Sequence, residues 1–270
     1  MSAIGVFDSG VGGLTVVEAL LRRLPHESIF YLGDTARVPY GNKSESTVRR
    51  YAENAAHFLL ARGVKALLIA CNTASAYAVE TLAATSPVPV LGAVEPGARA
   101  AVRASRSGVI GVIGTLGTVR SGAYARAIDA AAGHPRAVRI AQRACPLFVP
   151  LAEEGWFEGE VPELVARRYL DELVQDAPDL DVLVLGCTHY PLLRPLLQRV
   201  ADACFGRPIT LVDSAAAMAE ETAALLAARG LSTPTGVGAL RCALTDEARM
   251  DEVGARFLGR PLGTIERVDL

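Results

Sequence analysis

Short runs of aliphatic and β-branched residues alternate along the chain with longer, alanine-rich stretches whose apolar residues recur at helical spacing. The first run, SAIGVFD (2–8), predicts a strand, then a glycine-rich turn and a helix around Thr15–Leu24. SIFYLGD (28–34) predicts a second strand that opens into the loop TARVPYGNKS. A long helix over 44–62 follows, capped by Ser44. Next come a third strand, VKALLIAC (64–71), a helix over 74–84 and a fourth strand, VPVLGAV (88–94). Near residue 95 the pattern restarts. A helix over 96–105 leads into the strand SGVIGVIG (107–114), the turn TLGT and a helix near 119–132. AVRIAQ (137–142), LDVLVLGC (180–187) and RPITLVD (207–213) predict strands, and 163–174, Pro191–Ala203 and 215–228 predict helices. The tail, 235–270, offers only weak strand-like and helix-like pieces. Such alternation predicts an α/β fold with parallel sheets and helices on both faces.

The two halves resemble each other. IGVFDSG begins at Ile4 and IGVIGTL at Ile110, 106 residues later. ALLIACNT carries Cys71, and VLVLGCTH carries Cys187, 116 residues later. Two motifs in the same order at nearly the same offset point to duplicated α/β domains with cysteines at quasi-symmetric strand ends.

Composition narrows the class. Of 270 residues, 51% are hydrophobic and 21% charged, the opposite of a disordered chain. A net charge of −2 leaves no basic footprint for a nucleic-acid backbone. No apolar run approaches the ~18 residues of a membrane span. The start, MSAIGVFDSG, lacks a signal peptide's basic and long apolar regions, so a soluble cytoplasmic enzyme is expected. Five cysteines without a CxxC pair argue against a disulfide framework. The only lysines, Lys43 and Lys65, sit in a loop and at a strand entrance, poor settings for a pyridoxal Schiff base.

The sharpest chemical feature is the pair A-C71-N72-T73 and G-C187-T188-H189. Each cysteine ends a strand and precedes a helix, where ligands gather in open parallel sheets and where the helix field favours a thiolate. The plain alternative is two small core residues. Asn72, Thr73 and Thr188 can cap a helix or hold a ligand. Asp8 and Ser9 open the turn DSGVGG, which either caps a helix or presents a carboxylate and a hydroxyl; it lacks the complete dinucleotide or P-loop spacing. Thr115 and Thr118 in GTLGT are caps or carboxylate donors. Tyr40 and Gly41 in VPYG form a tight turn or a ligand-facing wall. His189 is two residues after Cys187, too isolated for a metal site but placed as its acid–base partner. Glu153 and Glu154 are a solvated pair, or one of them faces a cleft. His26, His57 and His134 read as solvated, and Cys145, Cys204 and Cys242 as structural.

Taken together, FDSGVGGLTV, YLGDTARVPYG, ACNTASA, EPGARAA, IGTLGTVRSGAY, CPLFVPLAEEG and LGCTHYPLL resemble the glutamate racemases, within the cofactor-independent aspartate/glutamate racemase superfamily. The segments span residues 4–195, and the tail resembles the family more loosely. The resemblance implies two pseudo-symmetric α/β domains, residues 1–95 plus about 210–270 and about 96–209, with the active site between them. It implies interconversion of L- and D-glutamate, supplying D-glutamate for peptidoglycan, by a homodimer that needs neither cofactor nor metal. Cys71 then takes the proton from D-glutamate and Cys187 from L-glutamate. Asp8 serves Cys71, and His189 assisted by Glu153 serves Cys187. Implied substrate contacts are Asp8, Ser9, Tyr40, Gly41, Asn72, Thr73, Thr115, Thr118, Thr188 and His189. Two other readings compete: a related isomerase of aspartate, a hydantoin or maleate, and a nucleotide- or phosphate-binding module using the DSGVGG turn.

Overall fold

The computed structural model describes residues 2–133, 138–248 and 250–270. The first sheet is built from β1 (Ile4–Asp8), β2 (Ile29–Gly33), β3 (Ala66–Ile69) and β4 (Val90–Gly92). The second uses β5 (Val109–Gly114), β6 (Arg139–Ala144), β7 (Val182–Gly186) and β8 (Thr210–Asp213). Two tail strands, β9 (Leu240–Leu244) and β10 (Ile265–Arg267), extend the first sheet to the order β10-β9-β2-β1-β3-β4. The second has the order β6-β5-β7-β8, and all pairs in both sheets are parallel. The four strands β2-β1-β3-β4 and β6-β5-β7-β8 therefore repeat one topology. Ile4 pairs with Ile29 and Ala66, and Ile110 pairs with Ile140 and Val182, so the sequence echo at Ile4 and Ile110 falls on equivalent central strands.

The central strands β1, β3 and β7 are buried along their whole length, which explains their unbroken apolar sequence. The helices are α1 (Leu14–Arg23), α2 (Glu45–Ala61), α3 (Asn72–Thr85), α4 (Val94–Ala104), α5 (Leu116–Arg120), α6 (Ala123–Ala132), α7 (Phe148–Glu154), α8 (Glu160–Asp176), α9 (Arg194–Phe205), α10 (Ser214–Ala228) and α11 (Met250–Leu258). Ser44 caps α2, accepting the Thr47 N–H at 3.4 Å, as expected. The single helix expected near 119–132 is divided, because Gly122 takes a left-handed φ of +65° between α5 and α6. The strand expected from 137 has its described part in β6, and His134 lies outside the described residues.

Two features bear on the site. RPITLVD pairs with β7, so the chain returns to the first sheet after Asp213 and not at 210. Asp213 then caps α10 by accepting the Ala215 N–H at 2.8 Å, and α10 packs against both α1 and α4. The apolar stretch after Cys145 is helical. Pro150 stands in the first turn of α7, where no intrahelical N–H bond is lost.

Candidate active site

The candidate side chains cluster where strands end. Asp8 closes β1, and Cys71 and Cys187 lie just past β3 and β7. Both thiols are nearly inaccessible, at 6% and 5% exposure. They line one tight cavity of about 60 Å³ together with Ser9, Thr73, Thr115 and His189. Tyr40, Gly41, Asn72, Glu153 and Thr188 also reach it, as do Val38, Pro39 and Val149. Asp8 and Thr118 do not line the cavity; both are fully buried, one layer behind the wall. Glu154 is exposed and absent from the wall. His26 and His57 are on the surface, where His26 Nδ1 contacts the Gly236 carbonyl at 2.6 Å.

The Cys71 side is a thiol backed by a carboxyl group. The Cys71 sulfur caps α3, accepting the Ala74 N–H at 3.5 Å, and the thiol donates to Ser9 Oγ at 3.4 Å. Asp8 accepts the Gly10 N–H at 3.0 Å and the Thr188 hydroxyl at 3.4 Å. The Thr188 carbonyl in turn accepts the Thr15 hydroxyl at 3.0 Å, which laces the first turn to the strand-end loop of the second sheet. Burial pushes the Asp8 carboxyl above its ordinary value, against the charge of His189 and the hydrogen bonds it accepts. Burial, reinforced by the Asp8 charge, pushes the Cys71 thiol up to about 12. Cys71 is therefore a protonated thiol at neutral pH.

The Cys187 side is a relay. Cys187 Sγ is 3.9 Å from His189 Nδ1, and His189 Nε2 is 2.9 Å from Glu153 Oε1. Burial disfavours the imidazolium, but its hydrogen bonds to Cys187 and Glu153 outweigh that cost and push His189 up to about 10. The His189 and Phe257 rings meet in a T-shaped contact, with centroids 4.9 Å apart.

Three hydroxyls form a triangle, Thr73 and Thr115 on another part of the wall and Thr118 behind them. Thr73 is 2.8 Å from Thr115 and 3.1 Å from Thr118, and Thr115 is 3.0 Å from Thr118. Gly41 fits against them closely: a β-carbon there would stand 2.7 Å from Thr115 Cβ. Asn72 is braced from outside, its Oδ1 accepting the Tyr124 hydroxyl at 2.7 Å and its amide donating to Ser214 at 3.5 Å. Tyr40 also reaches the cavity, and its hydroxyl is turned to Asp34, to which it donates at 2.5 Å. Thr15, Tyr124 and Val149 lie inside the family-like segments but are not among the candidate site residues, and Ser214, Arg256 and Phe257 carry no local sequence signal; each joins the site through tertiary packing. Among the described residues, no group of three or more His, Cys, Asp or Glu side chains is placed to hold a metal ion.

Fold and site define a two-sheet α/β protein with acid–base groups converging on one cavity from the strand ends of both sheets. Residues 4–222 match the Asp/Glu/Hydantoin racemase family, and the chain belongs to that family of isomerases. It is 52% identical over 269 residues to a glutamate racemase of Syntrophus aciditrophicus, covering 99% of this chain and 96% of the relative. Among solved structures, it matches a Thermus thermophilus glutamate racemase bound to β-chloro-D-alanine (TM-score 0.87, 46% identity, 100% and 97% of the two chains). It also matches a Francisella tularensis glutamate racemase in complex with D-glutamate (TM-score 0.90, 36% identity, 99% and 97% of the two chains).

Proposed function

We infer that the chain interconverts L- and D-glutamate by moving a proton at Cα between Cys71 and Cys187, without a cofactor. The observation that carries this reading is the pair of strand-end thiols, one from each of two like-ordered sheets, on the wall of one cavity. Stereoinversion breaks a C–H bond on one face of Cα and makes one on the other. A thiolate on the first wall takes the proton, and the electron pair remains on carbon, delocalised toward the adjacent carboxylate. The thiol on the second wall then delivers its own proton, so thiol and thiolate exchange places and the atoms balance.

Cys71 serves D-glutamate and Cys187 serves L-glutamate. A raised Asp8 carboxyl behind Cys71 is suited to accept the thiol proton as the base forms. On the other wall His189, pushed up to about 10 and backed by Glu153, instead sets an imidazolium beside the Cys187 sulfur, where its charge supports the thiolate. The Thr73 and Thr115 hydroxyls, backed by Thr118, supply donors for a substrate carboxylate, while Ser9, Tyr40, Gly41, Asn72 and Thr188 complete its surroundings. Glutamate is favoured as substrate by the names of the full-length relatives and by the D-glutamate held in the Francisella structure.

The same reading includes a functional division into residues 1–95 plus the C-terminal segment and residues from 96 to about 213, the second ending with β8. It also includes a cytoplasmic homodimer supplying D-glutamate for peptidoglycan; no described helix is long and apolar enough to cross a membrane.

The test is L-glutamate in D₂O with no added cofactor. D-glutamate carrying α-deuterium is the expected product. Turnover of aspartate or a hydantoin with none of glutamate would replace this substrate assignment.

A further inference from the structure

The least motif-like part of the sequence meets the catalytic relay. Helix α11 lies between β9 and β10 in the tail and packs against α1. Its consecutive residues Arg256 and Phe257 address both members of the Glu153–His189 pair. Arg256 Nη1 donates to the Glu153 carbonyl, and its guanidinium lies against Gly155. Gly155, at φ +73°, ends α7, so Arg256 satisfies a last-turn carbonyl of the helix that carries Glu153 and places a cation at its C-terminus. Glu252, one turn earlier, holds the guanidinium from the other side at 3.1 Å. Phe257 is 3% exposed and meets the His189 ring in a T-shaped contact at an interplanar angle of 74°.

These contacts matter because the pair is not enclosed by its own loops. The Glu153 side chain is 39% exposed and that of His189 10%. Its hydrogen bond fixes where Nε2 lies but not the plane of the ring. Phe257, packed T-shaped against the imidazole, resists rotation about that axis, and Arg256 fixes the backbone from which Glu153 projects. We propose that Arg256 and Phe257 are positioning residues that hold Glu153 and His189 in register with Cys187, so that the tail helix sets the efficiency of the Cys187 half-reaction. This rests on the two-thiol reading above.

The test separates the two half-reactions with the enantiomers of N-hydroxyglutamate. Removal of the α-proton expels hydroxide from nitrogen by N–O cleavage; the hydroxide leaves as water and the imine hydrolyses to 2-oxoglutarate and ammonia. Only the base facing the α-hydrogen is needed. Phe257→Leu and Arg256→Gln should each slow elimination from the L-form by about tenfold or more, as displacement of a catalytic group does, and leave the D-form within about threefold. Arg256→Lys, which can still donate to the Glu153 carbonyl, should recover most of the L-form rate. The D-form rate serves as the folding control, and Arg256, partly exposed, provides a variant that spares the core. Equal losses on both enantiomers, or an unchanged L-form rate, overturn the positioning role while leaving the racemase reading intact. Wild-type protein inert toward glutamate and toward both analogues overturns that reading, and the positioning role with it.

Discussion

Gly12 stands so close to His189 that a β-carbon at position 12 would lie 2.5 Å from His189 Nδ1 and 2.3 Å from the Thr188 hydroxyl oxygen. The turn after β1 thus touches the strand-end loop of the second sheet at the nitrogen that faces Cys187. The glycine is needed here for close approach. Gly12→Ala should displace His189 and Thr188, and a shift of order 1 Å would lower kcat by about 10²-fold. Gly63→Ala is the contrast: nothing lies within 4 Å, but φ is +70°. That variant should lose about 1–2 kcal/mol of stability and keep its activity. Steady-state rates and urea midpoints for both variants check the pair.

The strand-and-helix plan was legible because the central strands are buried on both faces and read as unbroken apolar runs. The internal echo was legible because the same strand positions recur in both sheets. Periodicity was silent where the physics is not periodic. The short α7, with Pro146 before it and Pro150 in its first turn, carries too few residues for a helical period, although a first-turn proline costs a helix no hydrogen bond. Nothing local in RPITLVD says which sheet it joins; that depends on the register it forms with β7. Cys71, Cys187 and His189 sit in short polar signatures at strand ends and could be singled out. Tyr124, Arg256 and Phe257 could not, since each acts on a residue far away in sequence.

The hydroxyl triangle makes a specific claim about binding. Thr73, Thr115 and Thr118 satisfy one another when no carboxylate is present. Thr115→Val removes a donor from the cavity wall without changing either thiol. A hydrogen bond to a charged group contributes about 1.5–3 kcal/mol, so KM should rise roughly tenfold or more. With kcat held within about twofold, the loss would be one of uniform binding. A fall in kcat at constant KM would instead place Thr115 in the transition state.

Asp8 should have opposite effects on two properties of Cys71. Burial first, and the Asp8 charge second, hold the thiol up to about 12. Alkylation by iodoacetamide needs the thiolate, so its rate at Cys71 should climb about tenfold per pH unit from 7 to 10 without a plateau. Asp8→Asn removes a like charge, lowers the thiol pKa and should speed alkylation at pH 8. On the proposed mechanism, in which Asp8 accepts the thiol proton during turnover, the same change should slow racemisation. Peptide mass spectrometry following Cys71 alone, beside a racemisation assay, reads both. Slower alkylation in Asp8→Asn would show that the carboxylate promotes the resting thiolate. Linkage gives the matching stability trend. A thiol raised in the folded state keeps a proton the unfolded chain has lost, so this term lowers stability as pH rises from about 9 toward 12.

The strongest prediction follows from placing the two thiols on opposite faces of Cα. The equilibrium constant between enantiomers is one by symmetry, so no variant can change the ratio of kcat/KM between directions; any asymmetry in kcat must be matched in KM. Racemisation by Cys71→Ser or Cys187→Ser should therefore collapse equally in both directions, by about 10²–10⁴-fold, because serine is a poor base at neutral pH. Elimination from N-hydroxyglutamate escapes that constraint, since the proton is never returned. Cys71→Ser should eliminate from the L-form and lose the D-form, and Cys187→Ser should do the reverse. Crossed selectivity of this kind would follow from two sulfurs that stand at strand ends of different sheets on the wall of one cavity. Both variants eliminating equally from both enantiomers would mean that one base reaches both faces. The two strand-end cysteines would then share a pocket without dividing the reaction.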